Sequence, residues 1–300
     1  AGTTMRLTNY FTVNGGVLLV AGLVAQLDAA ALAATDSSLL AALASTALLY
    51  ALVFAACAAN LRGRRRMHAK AVAASAPVLL SSIVPHPLGS ALERWVHRAA
   101  LASSTASAAA PPTTALTLVW AGAAWWAWLA CRLFAFELAF DALFYVAHRG
   151  VHAVPSVYRA VHKLHHSHTH DLRLLSALQM SAADVVLTHT LPVLGALALV
   201  PLAPGLELSV AKTYLLFQEL YGHAGCEHRG RCFGPAPWLT EALGIELRAA
   251  DHQRHHVQGS VNFSKRFSLF DRLFGTWADG PRPRGLKVLA EAPADAYPVD

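Results

Sequence analysis

The sequence predicts an all-α, polytopic membrane bundle of about four to six spans or re-entrant segments, with a cytosolic helical cap outside the lipid. Three observations predict it. Of 300 residues, 55% are hydrophobic and only 14% charged, which does not clothe a water-soluble domain of this length. Only Asp28 and Asp36 supply acids before Glu93, so the first third is Ala/Leu/Val-rich with almost no charge. Thirdly, the polar chemistry is concentrated late: of sixteen histidines, all but His68, His86 and His97 lie between His148 and His256.

Taken in order, Phe11 to Ala34 is a first span, interrupted by Gly15, Gly16 and Asp28. An uncleaved helix is favoured over a signal peptide because a second span, Ser38 to Asn60, follows at once. Arg62, Arg64, Arg65, Arg66 and Lys70 come next and mark a cytoplasmic loop. No stacking aromatics or recognition fold accompany them, which argues against nucleic acid. Ala71 to Val84 reads as a brief span or re-entrant piece and Ala102 to Thr114 as a loop. Ala115 to Val146 is long enough to cross and protrude, with Trp120, Trp125, Trp126 and Trp128 as interfacial anchors or groove lining. A hairpin follows, Ala183 to Leu202 and Leu206 to Tyr221, turning at Pro204 and Gly205. If Ala71 to Val84 crosses, the ends near Arg62, His148 and Tyr221 share one side. Composition thus divides the chain into a membrane-anchor region (1–110), a histidine-bearing region (111–280) and an irregular tail (281–300). Four cysteines, Cys57, Cys131, Cys226 and Cys232, lie too far apart to suggest a disulfide scaffold or zinc knuckle.

The histidines are grouped at ligand spacing. His148 and His152 are one helical turn apart, and His162, His165, His166 and His252, His255, His256 repeat the pattern H-x-x-H-H. In a helix such positions share a face, and the adjacent pair diverges enough to engage two ions. Eight or nine imidazoles exceed one tetrahedral ion and suit two, although imidazole alone does not choose among iron, copper, zinc and nickel. Isolated His68, His86 and His97 read instead as satisfied polar residues.

The run D-A-L-F-Y-V-A-H-R-G-V-H (Asp141 to His152), H-K-L-H-H (His162 to His166), D-H-Q-R-H-H (Asp251 to His256), N-F-S (Asn262 to Ser264) and D-R-L-F-G-T (Asp271 to Thr276) closely resembles the fatty acid hydroxylase/sterol desaturase superfamily, over about Phe140 to Trp277. The resemblance implies that 111–280 is a catalytic domain whose boxes hold two iron ions as a non-haem di-iron centre. It implies an integral membrane enzyme of the endoplasmic reticulum, with the cluster facing the cytosol. Electrons would come from NAD(P)H through cytochrome b5 or a similar carrier, and O2 would hydroxylate or desaturate a fatty acyl or sterol-like lipid drawn from the bilayer. His223, in G-H-A-G, matches a further family histidine and joins the ligand set. Glu219, His170 and His228 are candidates for any additional ligand, while His168 and His189 stay outside the set.

Two departures stand out: Ser181 to Asp184 replaces a His-Pro-acid pattern of sterol-modifying relatives, and Ser264 replaces a glycine. Neither touches a box histidine. Asp141, Tyr145 and Asp251 are candidates to accept the second ring N–H of a ligand histidine. Arg149, Lys163 and Arg254 read as headgroup, carrier or solvent contacts. The competing readings are a membrane zinc transporter or metal-binding scaffold, for which Asp184 and His189 are the best polar residues within a span, and a catalytically silent lipid-binding relative.

Overall fold

The computed structural model describes residues 2–61, 83–101, 115–168, 174–224 and 234–278. The basic loop, most of Ala71–Val84, the 102–114 loop, His68, His170, His228 and the tail after 278 lie outside them. Helix and no strand forms among the described residues. Helices α1 (Gly2–Thr35) and α2 (Ser38–Leu61) make a hairpin whose turn is set by Asp36 at φ 53°. Helix α3 (Pro85–Leu101) leads to α4 (Ala115–Ala153), which is continuous over 39 residues, roughly 58 Å at 1.5 Å each. Then come α5 (Ala182–Leu199), with a π-helical stretch at Val185–Thr190, α6 (Leu206–Gly222) and α7 (Ala249–Gln258).

Among the described residues, three helical segments are long and apolar enough to cross a membrane: Tyr10–Thr35, Ser38–Asn60 and Ala182–Leu199. Asp28, the charge that interrupts the first of these, is partnered within the bundle. Ser45 Oγ donates to its Oδ1 at 3.0 Å and Arg98 of α3 pairs with its Oδ2, which resolves the cost of an unpaired charge among apolar helices. Helix α4 carries Arg132, Glu137, Asp141 and Arg149 and lies outside the three; so does α6, whose charges are paired internally. Glu207 accepts from Arg132 at 3.2 Å, Lys212 pairs with Glu93, and Lys265 donates to Glu219 at 2.8 Å. α6 is enclosed by the bundle along most of its length.

One apolar core joins both ends of the chain: Val17 and Ala21 of α1 pack with Leu129, Leu133, Phe136 and Phe140 of α4, Val193 and Leu197 of α5, and Tyr214 of α6. A Cβ on Gly195 would lie 2.7 Å from Leu143 Cδ1, so glycine permits the close approach of α5 to α4. Trp125 and Trp126 pack against this core, and Trp126 Nε1 donates to Tyr10 Oη at 3.1 Å. Trp128 is exposed, with Arg132 4.4 Å above its ring. The polar ends of α4, α6 and α7 are thereby gathered at one end of the bundle.

Candidate metal centre

His148 and His152 project from the last turns of α4, His223 follows α6, and His252, His255 and His256 line α7. The middle triplet departs from the single-helix expectation. His162 closes a π-helical turn (Tyr158–His162), and His165 opens a 3-10 turn (His165–His168) after a break at Lys163 and Leu164. The change of helical pitch re-aims the rings.

All nine predicted histidines come together, in two groups. His148, His152, His162, His166 and His255 form one; His165, His223, His252 and His256 form the other, with the ligand atoms of each within 4.8 Å of one another. Both adjacent pairs are split between groups, and the groups abut: His166 stacks on His256 with ring centroids 4.5 Å apart.

The hydrogen bonds fix which nitrogens face inward. His148 Nδ1–H donates to the Phe263 carbonyl at 2.7 Å, His255 Nδ1–H to the Val261 carbonyl at 2.8 Å, and His223 Nδ1–H to the Glu219 carbonyl at 2.9 Å. His162 Nδ1–H donates to the Asp184 carboxylate at 2.8 Å. With the Nδ1 atoms of His148 and His162 turned outward to their acceptors, the two Nε2 atoms face one another 3.0 Å apart. Nitrogens facing at that distance repel unless a proton or a metal cation lies between them. Separations of 3.0 to 3.3 Å recur among His223, His252 and His256, and His165 and His223 stand 3.2 Å apart. Two nitrogens each ~2.1 Å from one ion at ~90–105° stand that far apart, so the donor set fits a metal in each group.

Burial acts in the same direction. It pushes His152 and His223 down to about 3 and His166 to about 2, and lowers His148, His165, His252, His255 and His256 well below the usual value of 6.5. The unfolded chain binds protons that the folded site refuses, so stability of the metal-free protein falls as pH drops from about 6.5 toward 3. Thermal midpoints of chelator-treated protein in detergent are expected to decline from pH 7 to pH 5; a flat profile refutes this.

The orienting partners differ from those expected. Asp251 accepts from the Arg248 backbone N–H at 2.9 Å and caps α7. Tyr145 bonds Thr276 Oγ1 at 2.9 Å and accepts from Arg149. Asp141 takes the backbone N–H groups of Lys265, Arg266 and Phe267 at 2.7 to 3.0 Å. Asp271 takes those of Phe263 and Ser264 and the Thr276 hydroxyl. Asp141 staples the segment after α7 to α4, Asp271 folds that segment onto itself, and the segment presents the Phe263 and Val261 carbonyls to the rings. Local spacing could not reveal backbone acceptors. Asn262 holds φ 55° in this segment, whereas Ser264 does not adopt positive φ, so the missing glycine strains nothing. Arg254 is also not a surface contact: it is buried and donates to the Ala278 carbonyl at 2.7 Å. Glu219 stands 3.5 Å from His223 Nδ1 and is paired with Lys265.

Replacing Asp141 by Ala strands three backbone donors, two of them on buried residues, and is expected to destabilise the metal-free fold by about 3 kcal/mol or more. A thermal midpoint within a degree of the parent refutes that role.

The family model described as fatty acid hydroxylase matches residues 133–276, the segment from the core of α4 past Asp271. Residues 133–276 belong to the fatty acid hydroxylase/sterol desaturase superfamily. Among relatives of the chain, fatty acid hydroxylase vlmA of Lecanicillium sp is 32% identical over 165 residues, covering 52% of this chain and 44% of the relative. A cholesterol 25-hydroxylase-like protein of Danio rerio is 34% identical over 143 residues, 46% and 52% of the two chains. Cholesterol 25-hydroxylase of Mus musculus is 27% identical over 157 residues, 51% and 49%. The matches span about half the length of these relatives. No solved structure matches the chain.

Proposed function

We propose that the protein is a membrane-bound non-haem di-iron oxidoreductase that uses O2 and reducing equivalents to hydroxylate a lipid, fatty acyl or sterol-like. The observation that carries this reading is the convergence of nine histidines into two abutting groups, the ligand atoms of each within 4.8 Å of one another, at the end of a bundle with apolar spans. Relatives named as hydroxylases favour insertion of oxygen over desaturation. Unactivated C–H bonds need an oxidant that no side chain supplies, and bound iron with dioxygen supplies it. The chain's part is to hold the ions through His148, His152, His162, His166 and His255 on one side and His165, His223, His252 and His256 on the other. Backbone carbonyls and Asp184 lock the ring tautomers, and Phe144 and Phe263 pack against His148 to exclude water. Lys265, buried against Glu219, places a cation beside a centre whose ligands are otherwise neutral.

The cluster faces the cytosol in this reading, in the endoplasmic reticulum membrane, with electrons delivered from NAD(P)H through cytochrome b5 or a similar carrier. The exposed Arg149 and Lys163 beside the centre suit an acidic carrier or headgroups. Metal analysis of purified protein, followed by lipid mass spectrometry under isotopic dioxygen, tests the proposal. About two irons per chain and label retained in the product are expected. Loss of two hydrogens without label replaces hydroxylation by desaturation; stoichiometric zinc with no oxygen-dependent product overturns the enzyme reading.

A further inference from the structure

A second set of buried polar side chains gathers away from the histidine groups, where α2, α3, α5 and α6 meet. His86 and Glu93 of α3 are each 1% exposed and Lys212 of α6 is 3% exposed. Tyr50 of α2 hydrogen-bonds His86 Nδ1 at 2.5 Å, the rings of His86 and His189 lie 4.3 Å apart, and Lys212 pairs with Glu93. His97 of the same helix meets the sequence expectation, its Nε2 bonded to the Leu202 carbonyl at 2.6 Å. His86 meets it only halfway. His86 Nε2, Glu93 Oε1, His189 Nδ1 and Thr190 Oγ1 have no hydrogen-bond partner, and His189 Nδ1 stands 3.7 Å from Glu93 Oε1, beyond hydrogen-bond reach. Four such atoms in one place imply a guest that satisfies them.

The cluster is joined to the metal centre by an apolar wall. The Phe140 ring lies 6.3 Å from His189 and 5.8 Å from Phe144, which in turn lies 4.9 Å from His148. His189 is the one member with appreciable exposure, at 12% of its side chain, and it sits between the exposed Leu187 and Leu191 on a candidate span. An amphiphile entering from the acyl region meets His189 first, and the buried Phe140 and Phe144 rings lie between it and the histidine groups.

We propose that His86, Glu93 and His189 form a binding site for a hydroxyl group of the lipid, whose apolar body runs along Phe140 and Phe144 toward the histidine groups. The proposal rests on the lipid-oxidation reading and narrows its substrate to a lipid alcohol, oxidised many bonds from its hydroxyl. A hydroxyl both donates, to Glu93 Oε1, and accepts, from a ring N–H, through a single small oxygen that fits between side chains only 3.7 Å apart. A carboxylate or phosphate is disfavoured because Glu93 faces the site and the Lys212 charge is already matched.

Equilibrium binding to the full metal-free chain in nanodiscs tests this without catalysis, using cholesterol against cholestane and octadecanol against octadecane. At least one alcohol is expected to bind about tenfold tighter than its deoxy partner. The His189→Phe variant, altered at the partly exposed edge, is expected to lose that preference while binding the deoxy partner as before; His86→Phe is expected to do the same. Equal binding of alcohol and deoxy partner by the parent, or a preference that survives His189→Phe, overturns the site. Turnover of the iron-loaded parent is scored separately: alcohol preference in binding without any oxygenated product upholds the site and sinks the oxidation reading.

Discussion

A His256→Ala variant is expected to bind about half the metal of the parent and to lose product formation by at least ~10³-fold. His256 Nε2 stands 3.1 Å from His252 Nε2 and 3.3 Å from His223 Nε2, so its removal leaves only His165, His223 and His252 on that side. The other group keeps all five histidines. Oxygen-dependent chemistry at a paired centre needs both sides, so activity falls much further than metal content. His152→Ala makes the comparison sharp. Its group still offers four imidazoles, and His152 Nε2 is the member without a close partner, so metal content is expected to stay nearer the parent's. Metal analysis of the two variants side by side checks the partition. Equal loss from both would mean that the nine rings do not act as two separate sets.

Removing the Asp184 carboxylate is the second large effect. Asp184 is fully buried and receives the His162 Nδ1–H at 2.8 Å and the Thr188 hydroxyl at 3.0 Å. An Asp184→Ala variant leaves the His162 N–H without its acceptor and frees the ring to turn or change tautomer. Metal affinity is expected to fall about 10–100-fold, with activity falling in parallel. Asp184→Asn keeps an acceptor oxygen and is expected to recover part of the loss, whereas Asp184→Leu, which fills the space without an acceptor, is expected to recover none; a purely steric role would let both recover. Titration with a competing chelator measures all three. Unchanged affinity in Asp184→Ala would show that the carboxylate does not orient His162. Asp251→Ala, by contrast, removes a helix cap and is expected to cost stability of about 1 kcal/mol with little change in metal affinity once folded.

Asp184 also shows where reading the sequence stops. It lies in the stretch that departs from the sterol-modifying pattern, and its place near the start of an apolar run made it a candidate for ion passage. In the fold, Ser181 caps the turn through the Asp184 N–H at 3.1 Å and ties to the Val161 carbonyl at 2.8 Å, which delivers the carboxylate to His162. The departure from the pattern thus still ends in an acid beside the second box. Asp141 and Asp251 stood closer to the boxes in sequence, yet their oxygens serve backbone amides, because the segments they anchor must be held before any ring can be aimed.

Composition, apolar run lengths and histidine spacing by themselves determined the helical membrane class, the first two spans and eight of the nine rings that converge; His223 came from the family resemblance. Those properties are local: hydrophobic runs set helix length, and residues three or four apart share a face wherever the helix lies. Only the tertiary structure decided that each triplet divides between two groups, that α6 is enclosed along most of its length, and that carbonyls of Val261, Phe263 and Glu219 fix the tautomers. Those outcomes depend on helix pitch at His162 to His165 and on segments distant in the chain, whose approach is governed by packing around Phe140, Gly195 and Asp141 and is written in no single stretch of sequence.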